Sequence, residues 1–214
     1  FSNLDKVGVL IDGFDHIGTM ITWYSPPYYK EHLEQLGYIK AKEYLENKFS
    51  IANVDRAYYQ KIAKIIKHRY KLKEVSFKKT SEIMPYVDEM FELFSKTYSK
   101  LASFVPISDS QIKYFKEKYI SFINPEFIKF VFDENDKMVA FAIIMPSFAR
   151  ALQKAKGRLF PFGIFHLLRA RKNPTSVTAY LIGIDENYQN KGVTAIIFDE
   201  YLKSIENMNV ETMI

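Results

Sequence analysis

The sequence predicts an α+β fold, and three stretches carry the prediction. Two apolar runs, residues 127–132 and 138–145, flank the polar turn Asp133-Glu134-Asn135-Asp136 and read as a hairpin. Ile83, Val87, Met90, Phe91, Phe94 and Tyr98 fall on one face of a helix, an aromatic stripe suited to a core. Residues 177–184 alternate as a strand with apolar side chains on both faces, as in the middle of a covered sheet. After Asp185-Glu186-Asn187, the residues Val193, Ile196, Ile197, Tyr201 and Ile205 recur at helical spacing, in a helix expected to start near Gln189 or Asn190.

Composition bounds the rest. With 48% hydrophobic and 16% aromatic residues, the 214-residue chain can build a packed core in one large or two small domains. A net charge of +5 suits polyanionic small molecules, acidic partners or nucleic acid, and equally a solvated lysine-rich surface. The absence of Cys excludes disulfide scaffolds, thiolate metal sites and Cys nucleophiles. His16, His32, His68 and His166 are not spaced as zinc ligands. There is no apolar run long enough to span a bilayer and no signal segment. The expectation is a cytoplasmic protein with no metal and no membrane partner. The chain opens at Phe1 and stops at Ile214 inside an expected strand, so both ends read as adjoining further chain.

Taken in order, residues 7–23 are apolar but punctuated by Gly8, Gly13 and Gly18, and read as short extended pieces joined by turns. Ser25-Pro26 reads as an N-cap with proline in the first turn; Tyr29, Leu33 and Leu36 then share a helical face, and Gly37 closes the helix. Residues 38–49 read as a strand and 55–69 as a helix linking two halves. That helix carries Lys61, Lys64 and Lys67 without interleaved stacking aromatics, so nucleic acid is not expected as a partner. Residues 71–77 read as a first strand, and Ser108 with Gln111 forms a capping box opening a helix through Ile112, Phe115 and Tyr119. Residues 146–176 are a long connection in which 148–156 and 164–171 read as short helices. Its Arg150, Lys154, Lys156, Arg158, Arg169, Arg171 and Lys172 make either a lid favouring an anionic acceptor or a cofactor phosphate, or a surface hairpin with solvated charges. Residues 209–214 read as a last strand.

The strand-to-helix junction is where chemistry is expected. A helix's first turn has N–H groups without partners inside the helix and carries the positive end of its dipole. Gly192 lets an anion approach the backbone without meeting a Cβ, and Lys191 adds a cation. Gln189-x-x-Gly192-x-Thr194 therefore reads as a pyrophosphate cradle, or else as an ordinary turn whose glycine relieves crowding.

This stretch resembles the acyl-CoA-binding motif of the GNAT superfamily of N-acyltransferases, Arg or Gln-x-x-Gly-x-Gly or Ala after an apolar strand, with Thr194 where Gly or Ala is usual. Residues 70–214 are similar to a GNAT domain over most of its length, without the helix that follows the last strand. The segment from Pro26 to Tyr38 resembles the last helix and strand of another copy. The whole resembles a bacterial tandem GNAT-like protein: residues 1–54 as the C-terminal tail of a first half, 55–69 as a connecting helix, 70–214 as the acyl-CoA-binding domain.

The resemblance implies a mixed, mostly antiparallel central sheet flanked by helices. It implies acetyl-CoA or another acyl-CoA as co-substrate and transfer of the acyl group to the amine of a small-molecule acceptor. Backbone groups of Ile182, Gly183 and Ile184 would hold the pantetheine arm, and Gln189, Asn190, Lys191, Gly192, Val193 and Thr194 the pyrophosphate. Where the family places a Tyr that protonates the departing thiolate, this chain has Leu33, with Tyr28 and Tyr29 as substitutes. Glu186 is either a base acting through water or a solvated turn carboxylate. The catalytic set is left unassigned. Thr194 and Leu33 favour the alternative of a non-catalytic acyl-CoA sensor or scaffold, and a basic interaction module is a third reading.

Overall fold

A computed structural model describes residues 8–19, 22–101, 104–120 and 123–214, apart from the side chain of Tyr119. Val7 and the Tyr119 side chain, both invoked above, lie outside the described residues. The first helix, α1 (Tyr28–Gln35), buries no side chain. Its end is as expected: Gly37 takes φ +87 while the N–H groups of Gly37 and Tyr38 return to the carbonyls of Glu34 and Leu33 at 3.0 Å. Its start is not. Ser25 is buried, its hydroxyl accepts from the Leu10 amide at 2.9 Å, and the N-cap falls on Pro27, which has no side-chain acceptor to offer. The strand expected over 38–49 shrinks to β1 (Phe49–Ser50). Residues 38–48 alternate in hydropathy but find no strand to pair with among the described residues, and Ile39 and Leu45 stay 90% and 80% exposed. Among the described residues of 1–54, the tail of a first half is not shown.

Helix α2 (Arg56–Tyr70) is capped by Asp55, whose carboxylate accepts from the Tyr58 amide at 3.0 Å. Strand β2 (Lys73–Ser76) follows, then the one-turn α3 (Thr80–Ile83) and the long α4 (Val87–Tyr98). In α4 the apolar stripe buries Val87, Met90, Phe91 and Phe94, as its spacing predicts. The expected capping box is present: Ser108 Oγ accepts from Gln111 N, and Gln111 Oε1 accepts from Ser108 N at 2.9 Å, opening α5 (Asp109–Phe115). The hairpin is β3 (Ile128–Phe132) and β4 (Met138–Pro146), turned at Asp136 with φ +61. The long connection holds α6 (Ala149–Ala155) and α7 (Gly163–Lys172), packed on each other. The chain closes with β5 (Ser176–Ile184), α8 (Val193–Ile205) and β6 (Thr212–Met213).

The strands form one six-stranded sheet in the order β1-β6-β5-β4-β3-β2, antiparallel except for the parallel pair β5–β6. Register assigns the faces. Ser76, Lys129, Ala142 and Ile182 form one row across it, and Val75, Phe130, Phe141 and Gly183 the next. Neighbouring rows face opposite sides. Helix α4 covers the Phe141–Gly183 side, while α8 covers β2 and β3 on the other. Helix α2 lies along the outer side of α8, with Tyr59 stacked on Phe198 at 5.5 Å and Ala63 fully buried. Sandwiched between sheet and helix, α8 buries residues around most of its circumference, Val193, Ala195, Ile197, Asp199 and Tyr201 among them. The helix expected to be a linker is therefore part of the packing.

Two expectations about the central stretch need correcting. Strand β5 lies inside the sheet, yet it is not covered on both faces. Because α8 sits over β2 and β3, the α8 side of β5 leaves Tyr180 37% and Ile182 44% exposed, whereas β3 is buried along its whole length. Nor does α8 begin at Gln189 or Asn190. Asn190 (φ +59) and Gly192 (φ +79) are left-handed, which no right-handed helix includes, so the first helical residue is Val193.

Candidate functional site

The junction after β5 is built by its side chains. Asp185 is 4% exposed; one carboxylate oxygen accepts from the Asn187 amide at 3.0 Å and the other from the Lys96 ammonium of α4 at 2.6 Å. Burial pushes the Asp185 carboxyl up, but Lys96 and the Asn187 amide outweigh it and hold the group below the ordinary aspartate value. Gln189 folds back so that its Nε2 donates to the Ile184 carbonyl at 3.0 Å. The chain then passes through Asn190 and Gly192 and enters α8, whose first turn has no side-chain cap.

The glycine has two structural causes. Its φ of +79 is strained for any residue with a Cβ, and a Cβ there would meet the end of the Ile66 side chain at 3.2 Å. The backbone conformation and the packing of α2 on α8 thus both favour Gly192 independently of any ligand. Gly183 is likewise a packing residue: a Cβ would lie 2.3 Å from the Phe141 ring and 3.0 Å from the Thr97 hydroxyl.

The other expected site residues divide. Val193 is buried, whereas Asn190 and Thr194 are exposed at the uncapped turn. Lys191 points its ammonium between the rings of Tyr70 and Tyr188, 5.2 Å and 5.4 Å from their centroids. There it lines a cavity of about 290 Å³ with Tyr70, Asp133, Lys137, Asp185 and Tyr188. The cavity mixes acids and bases, so it is a less suitable anion site than the uncapped amides. Glu186 is paired with Lys100 at 2.8 Å.

Along β5, Asp185 N donates to Val139 O at 2.8 Å, so alternation turns the backbone groups of Gly183 and Leu181 toward β4 and those of Ile182 and Ile184 toward the opposite edge. On that edge the Tyr98 hydroxyl donates to the Ile182 carbonyl at 3.2 Å. Burial raises the Tyr98 phenol above its usual value, against the opposing effect of that bond, so it stays protonated at neutral pH. The sequence placed Tyr98 in the aromatic stripe of α4, and its spacing gives no sign that the hydroxyl reaches β5. Tyr28 and Tyr29 stand on the exposed α1, packed edge to face on each other.

The α6–α7 hairpin leads into the start of β5, whereas Gly192 follows its end. A nine-residue strand spans about 27 Å, which separates the hairpin's base from the turn and leaves it badly placed to reach a phosphate there. Among the described residues no group of three or more His, Asp and Glu is arranged to hold a metal ion.

No protein-family model matches this chain, and no curated protein matches it. Solved structures do. The C-terminal DUF2156 domain of a protein described as a lysylphosphatidylglycerol synthetase, from Agrobacterium fabrum, aligns with a TM-score of 0.45 at 11% identity, over 87% of this chain and 50% of that one. A GCN5-related glucosamine N-acetyltransferase region of a fungal multi-domain β-N-acetylglucosaminidase aligns at 0.46 and 10% identity, over 88% and 20%. A protein described as histone acetyltransferase HPA2 and related acetyltransferase, from Corynebacterium glutamicum, aligns at 0.40 and 14% identity, over 64% and 73%. This chain thus spans half the length of the Agrobacterium structure. Its structural neighbours are GNAT-fold acetyltransferases and a DUF2156 domain, a likeness of arrangement that leaves activity to be read from this chain's own residues.

Proposed function

We propose that this chain is an acyl-CoA-dependent N-acyltransferase acting on the amine of a small-molecule acceptor. The observation that carries the reading is the uncapped first turn of α8, presented directly after β5 by the left-handed Gly192. A 13-residue helix with no side-chain acceptor at its start offers free amides and a positive dipole end to an anion. The residues present fit a nucleotide diphosphate there, because Thr194 supplies an amide at an exposed position of the uncapped turn and Asn190 is exposed beside it. The backbone of Ile182, on the outward edge of β5, suits an extended amide-bearing arm. Bound acyl-CoA supplies the thioester whose acyl carbon is attacked by the acceptor nitrogen as the C–S bond breaks.

We assign to Tyr98 the role of giving the leaving sulfur its proton. Its hydroxyl lies on that edge at Ile182, and burial keeps it protonated. Both carboxylates of the turn that could take the proton from the amine have a lysine partner. Asp185 is tied to Lys96 and Glu186 to Lys100. That pairing favours a second reading, in which the chain binds acyl-CoA without turning it over. Calorimetric titration with acetyl-CoA, followed by thiol release with a panel of amines, separates them. Binding with thiol release supports the transferase, and binding without it supports the sensor. An absence of binding overturns both.

A further inference from the structure

From Lys137 to Ile184 the sequence contains no Asp or Glu, while Arg150, Lys154, Lys156, Arg158, Arg169 and Lys172 fall inside that span. Most of it is the α6–α7 hairpin. At 100° per residue, Gly163, Ile164, Leu167 and Ala170 lie within an arc of about 120° on α7, and they are its buried and half-buried positions. The opposite arc carries Phe162, Phe165 and Leu168, exposed by 71%, 64% and 52%, with Arg169 and Lys172 among them. The tip adds Leu159 and Phe160, exposed by 47% and 78%, next to Arg158. One face of α7 packs inward, and the other presents aromatic and aliphatic side chains interleaved with cations.

Large apolar side chains exposed together on one helix face and on the turn before it mark a contact surface. Its chemistry selects the partner. The cations have no acid near them in sequence, so the partner is anionic, and the large exposed apolar side chains need an apolar layer directly beneath the anions. An anionic bilayer surface has that layering: phosphates outside, acyl chains a few ångströms below. A nucleic acid would offer the charge and could stack on the phenylalanines, but it has no apolar layer to cover Leu159 and Leu168. Contact of this type is peripheral, consistent with there being no helix among the described residues long and apolar enough to cross a membrane.

We propose that the α6–α7 hairpin docks the protein on anionic lipid bilayers, with Phe160, Phe162 and Phe165 at the headgroup–acyl boundary and Arg158, Arg169 and Lys172 on the lipid phosphates. This replaces the expectation of no membrane partner, and it stands independently of acyl-CoA binding. The test is co-flotation of the full chain with vesicles of phosphatidylcholine alone and of phosphatidylcholine with about 30 mol % phosphatidylglycerol. Wild type floats with the anionic vesicles and not the neutral ones, and added salt weakens binding. Arg158→Gln with Arg169→Gln lowers partitioning about 30-fold. Phe160→Ser with Phe162→Ser lowers it at least about tenfold, with an unchanged circular dichroism spectrum because both side chains are mostly exposed. The proposal is overturned if wild type ignores anionic vesicles at low salt, or if both double variants bind as wild type does. It is also overturned if sedimentation velocity shows a dimer that the Phe variant dissolves, which would give the face to a second copy of the chain.

Discussion

Gly192→Ala isolates the backbone feature on which the site depends. The alanine must hold φ +79, which costs an L-residue about 1–2 kcal/mol. Its Cβ would also stand 3.2 Å from Cδ1 and Cγ1 of Ile66. Those atoms end a flexible side chain and can give way, so the contact adds at most about 1 kcal/mol. The sum, about 1–3 kcal/mol, lowers the midpoint of thermal unfolding by roughly 2–4 °C per kcal/mol in a chain of this size. Urea unfolding of wild type, Gly192→Ala, Ile66→Ala and the double variant closes a cycle that separates the two contributions. In the Ile66→Ala background the contact disappears and the backbone cost remains. Gly192→Asn should recover part of that cost, since asparagine tolerates the left-handed region and Asn190 adopts it two residues earlier. Equal stability of Gly192→Ala and wild type would show that α8 does not start from a left-handed cap, and the placement of the free amides would fail with it.

Three further perturbations test other parts of the molecule. Tyr98→Phe removes one hydrogen bond, to Ile182 O, and should cost about 1 kcal/mol of stability; as proton donor its loss should lower kcat about 100-fold with KM for acyl-CoA nearly unchanged, and an unchanged kcat would remove Tyr98 from the chemistry. Lys96→Met removes the ammonium partner of the buried Asp185 carboxylate and leaves it the Asn187 amide, so the variant should be less stable than wild type at neutral pH. Since the wild-type Asp185 pKa is lowered, its stabilising contribution is present above the unfolded value of about 4 and lost as pH falls through the folded one; the gap between variant and wild type should therefore close in acid, and a pH-independent gap would contradict this. Lys129, 2% exposed, donates to Ser76 and Ser204 at 2.9 and 2.7 Å, and burial lowers its pKa. Between that lowered value and the unfolded one of about 10.4 the unfolded chain binds more protons, so wild type should gain stability relative to Lys129→Met as pH rises through this window in urea titrations.

Local signals carried well wherever a short stretch decides its own structure. The capping box at Ser108 and Gln111, the Gly37 helix end, the Asp133–Asp136 turn and the apolar stripe of α4 all appear in the structure as their residues predict. The misreadings share one cause, which is that the deciding contact is remote in sequence. Alternation over 38–48 looks like a strand until its lack of a partner strand leaves Ile39 and Leu45 in solvent. The packing of helix 55–69 on α8 is hidden for the same reason, since nothing in its own sequence tells that Ile66 will abut Gly192. Apolar side chains on both faces of β5 suggested full cover, but the position of α8 over β2 and β3 leaves Ile182 exposed. At the site, the turn's position and its glycine were legible. The helix start was not, since Asn190 and Gly192 read as helical until their φ values are known. Tyr98 was hidden because a phenol in an aromatic stripe looks like any other core ring.

The central claim, that the amides opening α8 receive the diphosphate of an acyl-CoA, is tested most directly by titrating the isotope-labelled chain with coenzyme A and following backbone amide resonances. Saturable shifts are expected at Gly192, Val193 and Thr194 and along Ile182 to Ile184. Shifts confined to the cavity around Tyr70 and Asp133, or no saturable shift anywhere, would contradict it.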